Sequence, residues 1–68
     1  MQIDLYVLPT CPICRMVETK LIEKNINFNQ YNLENYIEEL HTDRAPVMCV
    51  DGEIFDSPIK INNFIKTL

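Results

Sequence analysis

Two cysteines separated by two residues, Cys11-Pro12-Ile13-Cys14, stand where an extended segment gives way to a helical one, and this junction constrains the chain more than any other feature. Upstream, Gln2–Leu8 alternates, with Ile3, Leu5 and Val7 on one side and Asp4, Tyr6 and Leu8 on the other. That is the pattern of a strand, and Pro9 ends it. Downstream, apolar residues recur near helical spacing at Ile13, Met16, Val17, Leu21 and Ile22, while Glu18, Lys20, Glu23 and Lys24 take the wet face. The spacing predicts a helix from about Pro12 to Lys24, with Met16, Val17 and Leu21 in the core. Pro12 falls in the first helical turn, where a missing N–H costs nothing. Asn25-Ile26-Asn27 supplies the stop.

A chain of 68 residues holds one domain, spanning 1–68. Chains this short bury only about 60% of the surface they expose when unfolded. Small secreted domains offset that with several disulfides, and a bound metal is the other common staple. Here there are three cysteines, an odd number, and the close pair would close too small a loop to stabilise the chain much. Stability must come from packing, for which 47% hydrophobic residues suffice.

The remaining elements follow from local signals. Phe28, Tyr31 and Leu33 mark a second strand near Asn27–Asn32. Glu34–Thr42 reads as a short helix carrying Tyr36, Ile37 and Leu40, with an acidic outer face of Glu34, Glu38 and Glu39. Pro46–Val50 is a third strand, Asp51-Gly52 a tight hairpin turn, and Glu53–Phe55 a fourth strand. Ser57 is placed to cap a last helix with Pro58 at its first position. Ile59, Ile61, Phe64, Ile65 and Leu68 form its apolar stripe. The order β-α-β-α-β-β-α specifies an α/β fold with a mixed four-stranded sheet and three helices. The first β-α-β unit makes parallel strands by a right-handed crossover, and the hairpin makes an antiparallel pair.

The chemistry of the cysteine pair follows from its position. A helix beginning just after Cys11 turns unpaired N–H groups and its positive dipole end toward that sulfur, favouring the thiolate. Cys14, one turn on, lies on the same side and can reach Cys11. Arg15 adds positive charge, and Pro12 stiffens the turn. Cys11 is thus the attacking nucleophile on a substrate disulfide, and Cys14 the thiol that resolves the mixed disulfide. The alternative is half of a zinc or metal-delivery site with Cys11 and Cys14 as soft ligands. The strand-to-helix junction within a β-α-β pattern favours exchange over metal. A Cys3His set adding Cys49 and His41 would need a mid-strand thiol and a helix-end histidine to converge on the pair, so no metal is expected.

Leu5-Tyr6-Val7-Leu8-Pro9-Thr10-Cys11-Pro12-Ile13-Cys14 resembles the opening of a glutaredoxin, in which a tyrosine-bearing strand runs into Cys-Pro-aromatic-Cys. Arg44-Ala45-Pro46-Val47 is similar to the family's Thr-Val-Pro, and Val50-Asp51-Gly52 to the hairpin that follows. The resemblance covers the whole chain in element order and implies a thioredoxin fold. It implies a cis Pro46 facing the cysteines and Ala45 offering its backbone to a bound substrate strand. Pro12 and Arg15 join Ala45 and Pro46 as candidate substrate-binding residues, Arg15 being either a contact for an anionic substrate group or a solvated helix charge. It also implies a disulfide-bearing protein substrate, ribonucleotide reductase among the family's targets, and glutathione or a thioredoxin reductase as reductant. Two departures stand out. Leu8 replaces the lysine usual before Pro-x-Cys. Phe55-Asp56-Ser57-Pro58-Ile59-Lys60 stands where a glutaredoxin has Gly-Gly followed by the aspartate that grips glutathione. Glutathione is therefore expected to be a poor co-substrate, with no other cofactor held tightly.

The other features read plainly. Cys49, mid-strand, is expected as a packed core thiol. A formal charge of −4 with scattered basic residues argues against nucleic acid. No segment has the roughly 20 apolar residues of a membrane span, and the first residues carry no secretory signal pattern. A monomer in the cytoplasm is the expectation.

Overall fold

The structure, a computed structural model, describes all of residues 1–68. Its elements are β1 (Ile3–Val7), α1 (Pro12–Glu23), β2 (Asn29–Asn32), a 3₁₀ turn (Leu33–Asn35), α2 (Ile37–Leu40), β3 (Val47–Val50), β4 (Glu53–Phe55) and α3 (Pro58–Lys66). The four strands form one sheet in the order β2-β1-β3-β4. β1 and β2 are parallel, with Tyr6 opposite Tyr31 and Val7 opposite Asn32. β3 is antiparallel to β1, with Tyr6 opposite Val47, and β4 is antiparallel to β3, with Met48 opposite Phe55. The mixed sheet and its three helices are those expected from the sequence.

The alternation along β1 decides what each sheet face does. Ile3, Leu5 and Val7 are buried and join Met48 and Val50 of β3 on one face. Helices α1 and α3 cover that face with Val17, Leu21, Ile61 and Ile65, and Lys20 Nζ donates to Asn62 Oδ1 at 3.0 Å between them. Burial of these aliphatic side chains, at roughly 1.5–3 kcal/mol each, is the main stabilising term.

The helix ends carry specific chemistry. Asn25, at φ 57°, follows α1 in the left-handed conformation. Its N–H donates to the Ile22 carbonyl and that of Ile26 to the Leu21 carbonyl, both at 3.0 Å, the paired bonds of a Schellman ending. Ser57 caps α3 as expected, its Oγ accepting the Lys60 N–H at 3.3 Å. Asp51 and Gly52 have φ of 48° and 90°, as a tight hairpin turn with two left-handed residues requires.

Three expectations need correction. The helix over Glu34–Thr42 is instead a 3₁₀ turn and a four-residue α2, divided at Tyr36 (φ −130°) and stopped at His41 (φ 55°). Glu34 and Glu38, four apart with like charge, oppose a continuous helix there. Met16 is 58% exposed rather than core, Ile13 and Ile22 of the same expected stripe are exposed as well, and so are Ile59 and Leu68 of α3's stripe. The buried stripe of α1 runs Cys14, Val17, Leu21, and Met16 lies about 100° round the helix from Val17. Cys49 is only half-buried. It projects from β3 opposite to Met48, toward the face that α1 and α3 do not cover.

Candidate functional site

The loop from β1 to α1 is a single turn, closed by the Cys11 N–H donating to the Leu8 carbonyl at 3.3 Å. Pro9 sits at the second position of that turn, where its fixed φ is an advantage. The turn delivers Cys11 to the N-cap of α1 with extended backbone (φ −105°, ψ 104°) and Pro12 at the first helical position. An N-cap side chain normally accepts a backbone N–H from the third helical residue. Here the acceptor is sulfur: the Cys14 N–H donates to Cys11 Sγ at 3.1 Å. The same N–H group and the helix dipole stabilise negative charge on that sulfur.

Cys11 and Cys14 are joined as a disulfide, with Cα atoms 5.2 Å apart. Their surroundings differ. Cys14 is 1% exposed within the core, beside Val17 and Leu21 on the buried stripe. Cys11 is half-buried and packs against the edge of that core. Cys11 is therefore the more open of the two, whereas Cys14 is enclosed in the core. Arg15 is exposed on α1, and its N–H donates to the Cys11 carbonyl at 3.3 Å.

The Ala45-Pro46 peptide bond is cis and Pro46 is buried. Because Tyr6 lies opposite Val47 in antiparallel register, Ala45-Pro46 lies level with the C-terminal end of β1, from which the Cys11 turn departs. Ala45, like Cys11, packs against the core edge. By the same reasoning β4 ends there too, so Asp56-Ser57 and the start of α3 share that end of the sheet. The fold thus gathers Cys11, Pro12, Cys14, Arg15, Ala45 and Pro46 at one end. His41 and Cys49 do not join them, and no set of three His, Cys, Asp or Glu side chains is arranged to hold a metal ion.

Sequence reading missed one cluster. Tyr6, Tyr31 and Tyr36 meet on the second face of the sheet, with ring centroids 5.3 Å apart for Tyr6–Tyr31, 5.2 Å for Tyr6–Tyr36 and 5.5 Å for Tyr31–Tyr36. Tyr6 alternates with the core residues of β1, which marks it as facing away from them. Its pairing with Tyr31 depends on strand register, which alternation does not supply. Burial, then Asp4 and its other neighbours, raise the Tyr6 phenol above its ordinary value of 10.0.

No family model and no curated protein matches the chain in sequence. Solved structures do match in shape. The thioredoxin-like protein BC3987 superposes with a TM-score of 0.77 at 19% identity, covering 94% of this chain and 99% of that one. The glutaredoxin-like NrdH-redoxin from Escherichia coli gives 0.71 at 18%, covering 93% of each. The trimeric glutathione transferase TDR1 of Leishmania gives 0.81 at 20%, covering 98% of this chain and 17% of that protein. The chain has the thioredoxin fold.

Proposed function

We propose that the protein is a thiol–disulfide oxidoreductase that reduces protein disulfides by dithiol exchange. The observation that carries this reading is the N-cap sulfur of half-buried Cys11, which accepts the Cys14 N–H and is joined to the sulfur of buried Cys14. In the reduced protein the Cys11 thiolate attacks one sulfur of a substrate disulfide, and the other sulfur leaves as a thiolate that takes up a proton. Cys14, losing its proton, then attacks Cys11 Sγ and releases the second substrate thiol. The substrate gains two electrons and two protons, and the protein keeps the Cys11–Cys14 disulfide. A reductant must reopen it, either a small thiol or a flavoprotein reductase.

The start of α3 favours the reductase over glutathione. Pro58 has no N–H to offer, the Lys60 N–H is taken by Ser57 Oγ, and the Ile61 N–H by the Ser57 carbonyl. Lys60 Nζ is itself paired with Asp56 at 3.3 Å. Few donors remain there for the carboxylates of a tripeptide. E. coli NrdH-redoxin, a glutaredoxin-like protein with a thioredoxin-like activity profile, shares the fold.

The test is stoichiometric. Fully reduced protein, mixed with a disulfide-bearing protein and no other reductant, should yield two substrate thiols for each Cys11–Cys14 disulfide formed. Transfer that persists in Cys11→Ser, or none in the wild type, contradicts the reading.

A further inference from the structure

The two faces of the sheet are treated differently. α1 and α3 cover the face of Ile3, Leu5 and Val7, whereas on the other α2 is one turn long and buries none of its residues. Ile54 lies opposite Cys49, and Cys49 opposite Asp4, so these three project from the second face. Ile54 is 52% exposed and Ile37 of α2 is 40% exposed. Tyr6, Tyr31 and Tyr36 are half-buried on the same face, and none of their hydroxyls is enclosed without a partner. Val47, opposite Tyr6, is fully buried on this face, and around it the half-buried tyrosines with Ile54 and Ile37 leave an aromatic and aliphatic surface to solvent.

Charge is segregated in the same sense. Residues 25–43 hold Glu34, Glu38, Glu39 and Asp43 and no lysine or arginine, so this segment accounts for the whole formal charge of −4. The rest of the chain balances, six acidic against six basic residues. Five of those basic residues, Arg15, Lys20, Lys24, Lys60 and Lys66, lie on or at the end of α1 and α3, the helices of the opposite face. All four carboxylates are exposed and none forms an ion pair, the single pair being Lys60–Asp56.

We propose that the tyrosine face and the acidic segment 33–43 form the docking surface for a protein that presents clustered lysines or arginines. The occupant follows from charge complementarity. Exposed carboxylates steer and orient a basic partner, and tyrosine ring faces hold its cationic heads while the exposed isoleucines meet their aliphatic stems. The segment begins after Asn32, opposite Val7, and exposed Arg44, the sixth basic residue, joins its end to Ala45-Pro46, next to the residue opposite Tyr6. Both its ends are therefore anchored at the end of the sheet that carries Cys11. A partner seated on it lies beside the reactive sulfur. The basic protein is thus the disulfide-bearing substrate itself, an assignment that rests on the exchange function proposed above.

The sequence provides its own reporter. It has three tyrosines and no tryptophan, so its tyrosine emission comes only from this surface. Titration with a lysine oligopeptide lacking cysteine and aromatic residues should give a saturable change in tyrosine emission, and a glutamate oligopeptide should give none. The response should vanish between ionic strengths of about 0.01 M and about 1 M, as the screening length falls from about 30 Å to about 3 Å. The variant Glu34→Gln/Glu38→Gln/Glu39→Gln/Asp43→Asn should weaken binding about tenfold or more. It should exchange with an uncharged disulfide peptide at the wild-type rate and lose the wild-type preference for a lysine-flanked over a glutamate-flanked disulfide peptide. Emission that ignores charge, survives the four substitutions, or changes on dilution of the protein alone (a second copy on this face) overturns the proposal. Saturable lysine-peptide binding without exchange on any disulfide upholds the basic-docking surface and removes the exchange function instead.

Discussion

At Cys11 a sulfur occupies the place that serine or aspartate usually takes at the start of a helix, and the proposed exchange chemistry starts from that substitution. In the proposed exchange, the group that caps the helix is also the group that must carry negative charge, and the folded backbone then stabilises the reactive form of the nucleophile. Cys14, three residues on, gains nothing from the cap and lies in the core. The proposed asymmetry of roles thus follows from two positions on one helix. Tyr6 provides a second residue-scale consequence. Its pKa is raised by burial first, with Asp4 and its neighbours adding to it. The folded state holds the phenol proton more tightly than the unfolded chain, so the associated stability is complete below about pH 10 and is lost as pH climbs through the raised folded value. Tyrosinate absorbance should show one tyrosine ionising later than a free phenol, with thermal stability declining over the same range. Three tyrosines titrating together at the unperturbed value would contradict this.

Among the elements, the helix ends and the hairpin were legible because each depends on a local residue signature. Ser57-Pro58 announces a helix start, and Asp51-Gly52 a two-residue turn. Removing the cap with Ser57→Ala should cost about 1 kcal/mol, measurable by denaturant unfolding. Exchange kinetics should be unaffected, since α3 reaches the redox end without entering the bond-making steps. At Asn25 a β-branched residue such as valine should destabilise α1's ending, while glycine should be tolerated, because the left-handed φ of 57° penalises branching at Cβ. The segment 33–43 and Cys49 were misjudged for a shared reason. Apolar spacing at Tyr36, Ile37 and Leu40 suggested a helix packed on the sheet, and a mid-strand thiol suggested a core. Both inferences presume that the second face is covered. How much of that face is covered depends on the length of α2, which the break at Tyr36 and the left-handed His41 hold to one turn.

For the whole molecule, the fold brings together four segments that are far apart in the chain: the Cys11 turn, the acidic segment, Ala45-Pro46 and the start of α3. The sequence pattern places each at a strand end, and the sheet order β2-β1-β3-β4 makes those ends coincide. This convergence was readable only through resemblance to a glutaredoxin, because pairing between β1 and β3 leaves no local signature. Glutathione should reduce the Cys11–Cys14 disulfide poorly. Two missing charge-assisted hydrogen bonds, at roughly 1.5–3 kcal/mol each, weaken its complex by about a hundredfold or more. NADPH with a thioredoxin reductase should do better, and a comparison of the two rates decides the matter. Saturable turnover at ordinary glutathione concentrations would show that other groups substitute for the missing glycines.

The central claim, that Cys11 attacks and Cys14 resolves, is tested most directly by trapping. Reduced Cys14→Ser protein, mixed with a disulfide-bearing protein, should accumulate a covalent complex through Cys11 that dithiothreitol releases and that peptide mass spectrometry maps to Cys11. Reduced Cys11→Ser should form none under the same conditions, because its remaining active-site thiol is buried and lacks the helix cap. A complex that forms through Cys14 in Cys11→Ser, with none through Cys11 in Cys14→Ser, would reverse the roles and contradict the account.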